Sequence, residues 1–214
     1  MNDMIINEAL EFVKKTFYDD YSGHDYFHTL RVYKMAARIA EQENANLLTV
    51  QLAALLHDVD DIKLSPETHA NKDKAVGFMR EHGISEAMIK TICGIIGEVS
   101  FKGTDSTAPA TIEGKCVQDA DRLDAMGAIG IARAFTYGGN HDRIMYDPEI
   151  KPTVGMNADQ YQHHISTTIN HFYEKLFLLK GLMNTDTAKK IAEQREAYMK
   201  AYISEFLDEW DEIR

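Results

Sequence analysis

Three short segments of this sequence bring together histidine and carboxylate side chains that can hold a metal ion. The first contains His24 and His28, the second is the His57-Asp58 pair at the end of an apolar stretch, and the third contains Asp121. Imidazoles and carboxylates together suit divalent ions such as Mn, Fe, Ni, Zn or Mg. Two carboxylates and two neutral imidazoles also balance the charge of one such ion. These residue types predict a metal site.

The apolar surroundings of these carboxylates strengthen that prediction. Leu55, Leu56 and Val59 flank the His-Asp pair, and a buried carboxylate costs several kcal/mol unless it is paired or bound to a metal. Simpler roles stay open from the residue types alone. They are a capping or surface histidine in the first segment, a helix-terminal histidine in the second, and a salt bridge to Arg122 or Lys115 in the third.

The three segments lie far apart in the sequence, which excludes the local ligand spacing of a zinc finger or an HExxH site. Tertiary packing of helices must assemble the site. Apolar residues recur at three-to-four spacing along nearly the whole chain, and no stretch alternates as a strand does. We therefore expect an all-α fold.

The same periodicity places the individual helices. One ends near 19–20, a second covers about 25–44, and a third ends around 57–60. Ser85 is expected to cap a helix that runs through about Glu98. The later helices are expected over about 113–136, 159–180 and 187–212, with a long loop over 140–157.

Length and charge limit the class of protein. The 214 residues fit one domain, 1–214, with a motif-bearing core over about 21–136 and C-terminal helices over about 159–212. The net charge of −11 argues against binding a nucleic-acid polymer or an anionic membrane. Cys93 and Cys116 form no CxxC pair, and the chain shows no signal peptide and no long apolar run. We expect a cytoplasmic protein, and the sequence indicates no oligomeric state.

The pattern of ligands resembles the H…HD…D signature of the HD-domain superfamily of metal-dependent phosphohydrolases. His28 matches in GHDYFHTLRV, His57 and Asp58 match in LAALLHDVDD, and Asp121 matches in VQDADRLDAMGAIGIARAF. The last segment also resembles the ADRL stretch of (p)ppGpp hydrolase domains. INHFYEKLFLLKGLMNTDTAKKIAEQREAYM is similar to small stand-alone bacterial HD proteins, which include a nucleoside triphosphate pyrophosphohydrolase. The likeness covers about 21–210 and implies an HD helical bundle with added C-terminal helices.

The resemblance implies that His28, His57, Asp58 and Asp121 bind one divalent ion, with Mn or Mg favoured over Ni, Fe or Zn. Such an ion polarises a phosphoryl oxygen and lowers the pKa of the attacking water. Related phosphohydrolases carry an acid three residues after the aspartate of the pair, which implies Asp61 as general base. Asp60 is the competing acid, and we expect it to be solvated.

The resemblance also implies a small phosphate-bearing substrate. We expect a nucleotide, with a (deoxy)nucleoside triphosphate cleaved to monophosphate and pyrophosphate. Phosphate binding needs cations, and four side chains near the motifs or on the C-terminal helices are the candidates, namely His24, Lys63, Arg122 and Lys175. Arg122 has the alternative role of supporting Asp121. Tyr26 and Phe27 either stack on a base or pack in the core.

Three other functions are compatible with the sequence. The same site would serve a 5′-nucleotidase or another phosphomonoesterase or phosphodiesterase. A two-metal HD enzyme would recruit histidines such as His69 and His82, and a catalytically silent domain would sense nucleotides. His141-Asp142 repeats the dipeptide within the predicted loop, and we expect it not to bind metal.

Overall fold

All regular secondary structure in the described residues is helical, which confirms the all-α prediction. The computed structural model describes residues 2–18, 25–62, 65–101, 103–164 and 166–213. The helices are α1 Asn2–Thr16, α2 Tyr26–Glu43, α3 Leu47–Leu56, α4 Asp73–Glu81, α5 Glu86–Val99, α6 Ile112–Asp124, α7 Gly127–Asn140, α8 Ala158–His163, α9 Thr168–Glu174 and α10 Asp186–Trp210. Two 3₁₀ segments cover Gly103–Asp105 and Leu176–Leu182.

The described residues form two compact units. The first comprises Met1–Ser100 with Thr107–Asp121, and the second comprises Phe101–Ser106 with Arg122–Arg214. The expected single domain over 1–214 stays a prediction. No helix in the described part of the chain is long and apolar enough to cross a membrane.

Helix α3 is the centre of the first unit. It packs against α1, α2 and α5, and its side chains from Leu52 to Leu56 are all buried. A helix that is apolar on every side is stable only when other elements surround it. The end of α3 therefore lies in the interior of the unit, and it brings the following residues, His57 and Asp58, there as well.

A cluster of aromatic side chains, of which Phe172 is fully buried, joins three helices of the second unit. The rings of Phe135 on α7, Phe172 on α9, and Tyr202 and Phe206 on α10 lie with neighbouring centroids 6.1–6.4 Å apart. These are distances at which aromatic pairs attract each other beyond simple burial. The cluster fixes the three helices against one another.

Helix caps confirm several predicted boundaries. Asp25 caps α2 by accepting a hydrogen bond from the backbone N of His28, and Asn44 ends that helix with a left-handed backbone. Ser85 caps α5, as predicted, by accepting from the backbone N of Met88. The predicted C-terminal helix over 187–212 corresponds to α10.

The single long helix expected over 113–136 is wrong, because the chain breaks between α6 and α7. Ala125 N and Met126 N bond three residues back, to the carbonyls of Arg122 and Leu123, and Gly127 has a φ of +71°. This backbone region favours glycine strongly. Ala125 and Met126 are good helix formers, so the periodicity continues through a break that only the glycine indicates. The predicted end at Tyr137–Gly139 is also too early, since α7 runs to Asn140.

We expect Gly127→Ala to destabilise the protein by about 1–3 kcal/mol, the usual cost of a strained left-handed residue. An added Cβ would lie 3.1 Å from Cγ of Arg195, whose guanidinium donates to the Leu123 carbonyl. Gly139 lies in α7 with nothing within 4 Å of an added Cβ, so Gly139→Ala should be neutral or stabilising. Urea denaturation of both variants measures the difference. Equal stability of the two variants would contradict this account of the break.

Two other helix predictions need correction. The third helix ends at Leu56 and is followed by a turn over 57–60, and the chain then forms α4, which the sequence periodicity did not reveal. The predicted helix over 159–180 is divided into α8, α9 and the second 3₁₀ segment. Thr167 explains that division, since its hydroxyl accepts from the backbone N of Asn170 and so begins a new helix.

Candidate metal centre

His28 is held by the cap at the start of α2. Its backbone N donates to Oδ1 of Asp25 at 2.6 Å, and its side chain is only 1% exposed. The third residue of a helix has no intrahelical acceptor for its N–H, so the aspartate both satisfies this donor and fixes the first turn. The imidazole is thereby directed into the interior of the first unit.

His57 is oriented by the helix that precedes it. Its Nδ1 lies 2.9 Å from the carbonyl oxygen of Ala54. Because a carbonyl only accepts hydrogen bonds, Nδ1 carries a proton, which leaves Nε2 as the atom of this ring that can bind an ion. That Nε2 atom is buried and has no hydrogen-bond partner among the described residues. A buried nitrogen of this kind is suited to bind a metal ion.

The four predicted metal ligands lie together in the first unit. Oδ2 of Asp58 is 3.1 Å from Nε2 of His57 and 3.4 Å from Nε2 of His28. Oδ1 of Asp121 is 3.5 Å from Nε2 of His28 and 4.0 Å from Nε2 of His57. His28, His57 and Asp58 are the tightest set, with ligand atoms within 4.8 Å of one another. Asp121 is the outer member, with 27% of its side chain exposed.

The electrostatics of the cluster favour a cation. Burial disfavours a charged His57 imidazole, but the carboxylates of Asp58 and Asp121 outweigh that effect and raise the pKa of His57 to about 9. The carboxylates therefore attract positive charge strongly enough to overcome desolvation. A divalent ion supplies that charge, and the two carboxylates and two imidazoles present are the donors that such an ion takes.

Divalent metal should stabilise the folded protein. We expect saturating Mn²⁺ to raise the melting temperature of metal-stripped protein by about 5 °C or more, because a ligand at 100 times its Kd adds about 2.7 kcal/mol. Thermal unfolding with and without Mn²⁺ measures the shift. Asp58→Asn is the control for weak binding to the acidic surface and should lose most of it. The same shift in both proteins would contradict a site at this cluster.

The two acids that follow the His-Asp pair differ in environment. Asp61 is half-buried, and its backbone N donates to the Asp58 carbonyl at 3.0 Å. Its role as general base stays a prediction. Asp61 and Asp58 do not share a helical face, because α3 already ends at Leu56. The expectation that Asp60 is solvated is wrong. Its carboxylate is buried and accepts from the backbone N atoms of Lys74 and Ala75.

The predicted substrate contacts have different outcomes. His24 and Lys63 lie outside the described residues. In the second unit, the buried Arg122 guanidinium donates to the carbonyl of Leu182, and Nζ of Lys175 lies 4.9 Å over the ring of Phe101. Substrate contact by Arg122 or Lys175 stays a prediction.

His171 is a half-buried histidine of the second unit with two positively charged side chains near it. Burial, followed by the charges of Lys175 and Arg143, lowers the pKa of His171 to about 3. The imidazole of His171 is therefore neutral. Lys175 directly follows the helix that contains His171.

The remaining histidines considered from the sequence have other partners. His69 donates from Nδ1 to the Asp60 carbonyl, and His82 donates to the Phe78 carbonyl and stacks on the Phe78 ring. His141 ends α7, and Asp142 follows it with a left-handed backbone. Within the described residues, no set of three potential ligands other than His28, His57 and Asp58 comes close enough to hold an ion.

Comparison with known proteins agrees with this arrangement. The HD domain family matches residues 25–126, a range that contains all four predicted ligands. YpgQ from Bacillus subtilis is 38% identical over 187 residues, which is 86% of this chain and 83% of YpgQ. A crystal structure of YpgQ in complex with ADP has a TM-score of 0.74 and 34% identity, with 98% of this chain and 97% of that chain covered.

Two further crystal structures resemble the chain over nearly its whole length. A Lactobacillus plantarum protein has a TM-score of 0.85 and 39% identity, with 97% of both chains covered. An HD-superfamily hydrolase from Bacillus thuringiensis has a TM-score of 0.78 and 43% identity, with 99% of both chains covered. Identity at this level over the full length extends the relation well beyond the ligand motif. The chain belongs to the HD-domain superfamily and is a metal-dependent phosphohydrolase.

Proposed function

We propose that this enzyme cleaves a (deoxy)nucleoside triphosphate to the monophosphate and pyrophosphate, with Mn or Mg as the working metal. The observation that carries the proposal is the ADP complex of YpgQ, a relative that is 38% identical to this chain. A protein that binds ADP accommodates a base, a ribose and two phosphates. We infer that this chain, as a relative of YpgQ, accepts a nucleotide as well.

An exposed aromatic ring next to His28 in the sequence supports a nucleotide substrate. Phe27 is 64% exposed, although it directly precedes the buried ligand His28. Leaving a phenyl ring in water forgoes its burial energy, whereas stacking on a base is worth about 1–3 kcal/mol. The alternative expected for Phe27, packing in the core, does not agree with this exposure. We assign the ring to contact with the base.

The assigned ligands are His28, His57, Asp58 and Asp121. When bound, the divalent ion polarises the phosphoryl group and lowers the pKa of water. The protein contributes by orientation, since the Ala54 carbonyl holds His57 in the tautomer that presents Nε2. Mn and Mg are favoured because carboxylate oxygens, which suit hard ions, make up half of the ligand set.

The catalytic base is assigned to Asp61, whose carboxylate accepts the proton of the attacking water. Asp61 lies in the same turn as Asp58, and its backbone N donates to the Asp58 carbonyl. This proximity supports the assignment. Lys175 stays a candidate phosphate contact, as the cation of the C-terminal helices that the sequence analysis singled out. Arg122 remains a weaker candidate, since its guanidinium already donates to the protein backbone.

Product analysis tests the reaction. Metal-stripped protein is supplied with Mn²⁺ or Mg²⁺ and a panel of nucleoside mono-, di- and triphosphates, and the products are separated. Monophosphate with pyrophosphate is the expected result. Nucleoside with orthophosphate would instead indicate a 5′-nucleotidase, and binding without turnover under either metal would indicate a sensor.

A further inference from the structure

The metal ligand Asp58 lies on a turn rather than on a helix. Helix α3 ends at Leu56, and the residues after it form a turn. Two hydrogen bonds stabilise this turn, from Val59 N to the Leu56 carbonyl (3.4 Å) and from Asp61 N to the Asp58 carbonyl (3.0 Å). A turn lacks the repeated i to i−4 hydrogen bonds that fix residues within an α-helix. The position of Asp58 therefore depends on contacts that this turn makes with other segments.

The carboxylate of Asp60 attaches the turn to the start of α4. Its Oδ1 accepts from Lys74 N at 3.2 Å and its Oδ2 from Ala75 N at 2.9 Å, and the residue is 4% exposed. Lys72, which directly precedes α4, makes no side-chain cap hydrogen bond. Asp60 thus supplies the acceptor and the negative charge that a helix N-terminus favours.

The backbone of the same turn is held by the segment between it and α4. Ser65 donates from Oγ to the Val59 carbonyl (3.1 Å) and from its backbone N to the Asp61 carbonyl (2.7 Å). Nδ1 of His69 donates to the Asp60 carbonyl at 2.8 Å. Three consecutive carbonyls directly after Asp58 are therefore hydrogen-bonded to one short segment.

We propose that Asp60 is a positioning residue for the metal centre, which rests on the ligand assignment of the proposed function. By attaching the turn to α4, Asp60 keeps Oδ2 of Asp58 next to Nε2 of His57 and Nε2 of His28. Its own carboxylate is occupied by two backbone donors, so it acts through Asp58. Loss of this attachment allows the turn to rotate and separates the ligand atoms.

The test compares Mn²⁺ affinity across variants of the metal-free protein by isothermal titration calorimetry. Asp60→Asn keeps the shape of the side chain but removes its charge and replaces one acceptor with a donor. We expect it to weaken Mn²⁺ binding by about tenfold or more, as loss of groups that orient metal ligands does. His69→Ala removes the bond to the Asp60 carbonyl from an exposed side chain and should weaken binding less, in the same direction.

Two controls separate positioning from general stability. Asp73→Asn removes an exposed charge from the first turn of the same helix, and Ser85→Ala removes the cap of α5 in the same unit. Both are expected to lower the melting temperature while leaving Mn²⁺ affinity within twofold of wild type. Asp60→Asn should differ from them by losing affinity at a comparable melting temperature.

The outcomes distinguish this inference from the proposed reaction. Wild-type affinity for Mn²⁺ in both Asp60→Asn and His69→Ala would overturn the positioning role and leave Asp60 as a helix cap. If Asp60→Asn does not fold, the Mn²⁺ affinity of His69→Ala alone tests the positioning role. Failure of wild-type protein to cleave nucleotides would instead overturn the proposed substrate, because the affinity comparison uses only the metal.

Discussion

Asp58→Asn is expected to abolish measurable Mn²⁺ binding and to lower kcat/KM by about a thousandfold or more. The carboxylate lies between both imidazoles, with Oδ2 at 3.1 Å from Nε2 of His57 and 3.4 Å from Nε2 of His28. Replacing it removes one of the two carboxylate charges in the proposed ligand set. Metal catalysis contributes several kcal/mol, and each ~1.4 kcal/mol is a factor of ten in rate. Calorimetry with Mn²⁺ and steady-state kinetics measure the two effects.

The protein should remain folded in this variant, because removing a buried charge from the metal-free site does not create a cavity. The far-ultraviolet circular dichroism spectrum is expected to match that of wild type. Asp142→Asn is the matched control, since Asp142 follows His141 in the second His-Asp dipeptide, where it is exposed. Metal binding that survives in Asp58→Asn, or is lost in Asp142→Asn, would contradict the assigned site.

Asp61→Asn is expected to lower kcat by about 10²- to 10⁴-fold, the usual contribution of a general base. Asn cannot accept the proton of water, yet it is nearly the same size as Asp. Because Asp61 is not assigned as a ligand, Mn²⁺ affinity should stay within twofold of wild type. Single-turnover kinetics with a saturating metal concentration isolate the chemical step.

Asp61→Asn distinguishes a general base from a metal ligand at this position. Asp73→Asn serves as control for the loss of one negative charge in the same unit and should keep full activity. Full activity in Asp61→Asn would remove Asp61 as the base. Loss of Mn²⁺ binding together with activity would make Asp61 a ligand instead.

The four proposed metal ligands could be predicted because their motif is carried by residue identity and order. His28, His57, Asp58 and Asp121 are far apart in the sequence, yet the structure brings them together in one unit. The apolar residues around the His-Asp pair also predicted that it would lie at the edge of the core, and the structure buries both residues. The all-α class followed from the helical periodicity of the apolar residues.

Two features of the fold could not be predicted from the sequence, because they depend on tertiary contacts or on one backbone conformation. Asp60 looked like a solvated acid because its hydrogen-bond donors belong to α4, a helix that the sequence analysis did not predict. The break before α7 depends on the backbone conformation of Gly127, within a run of good helix formers. In both cases the tertiary structure overrides local propensity. The sequence did not decide whether Phe27 lies in the core or at the surface, and the structure exposes its ring.

The measurement that tests the central claim most directly is hydrolysis of a nucleoside triphosphate in oxygen-18 water with Mn²⁺. Attack of water on the α-phosphorus predicts that the label enters the nucleoside monophosphate and that the pyrophosphate carries none. Mass spectrometry of the separated products gives the answer. Label in pyrophosphate or orthophosphate would contradict the proposed reaction, because the water would then have attacked the β- or γ-phosphorus.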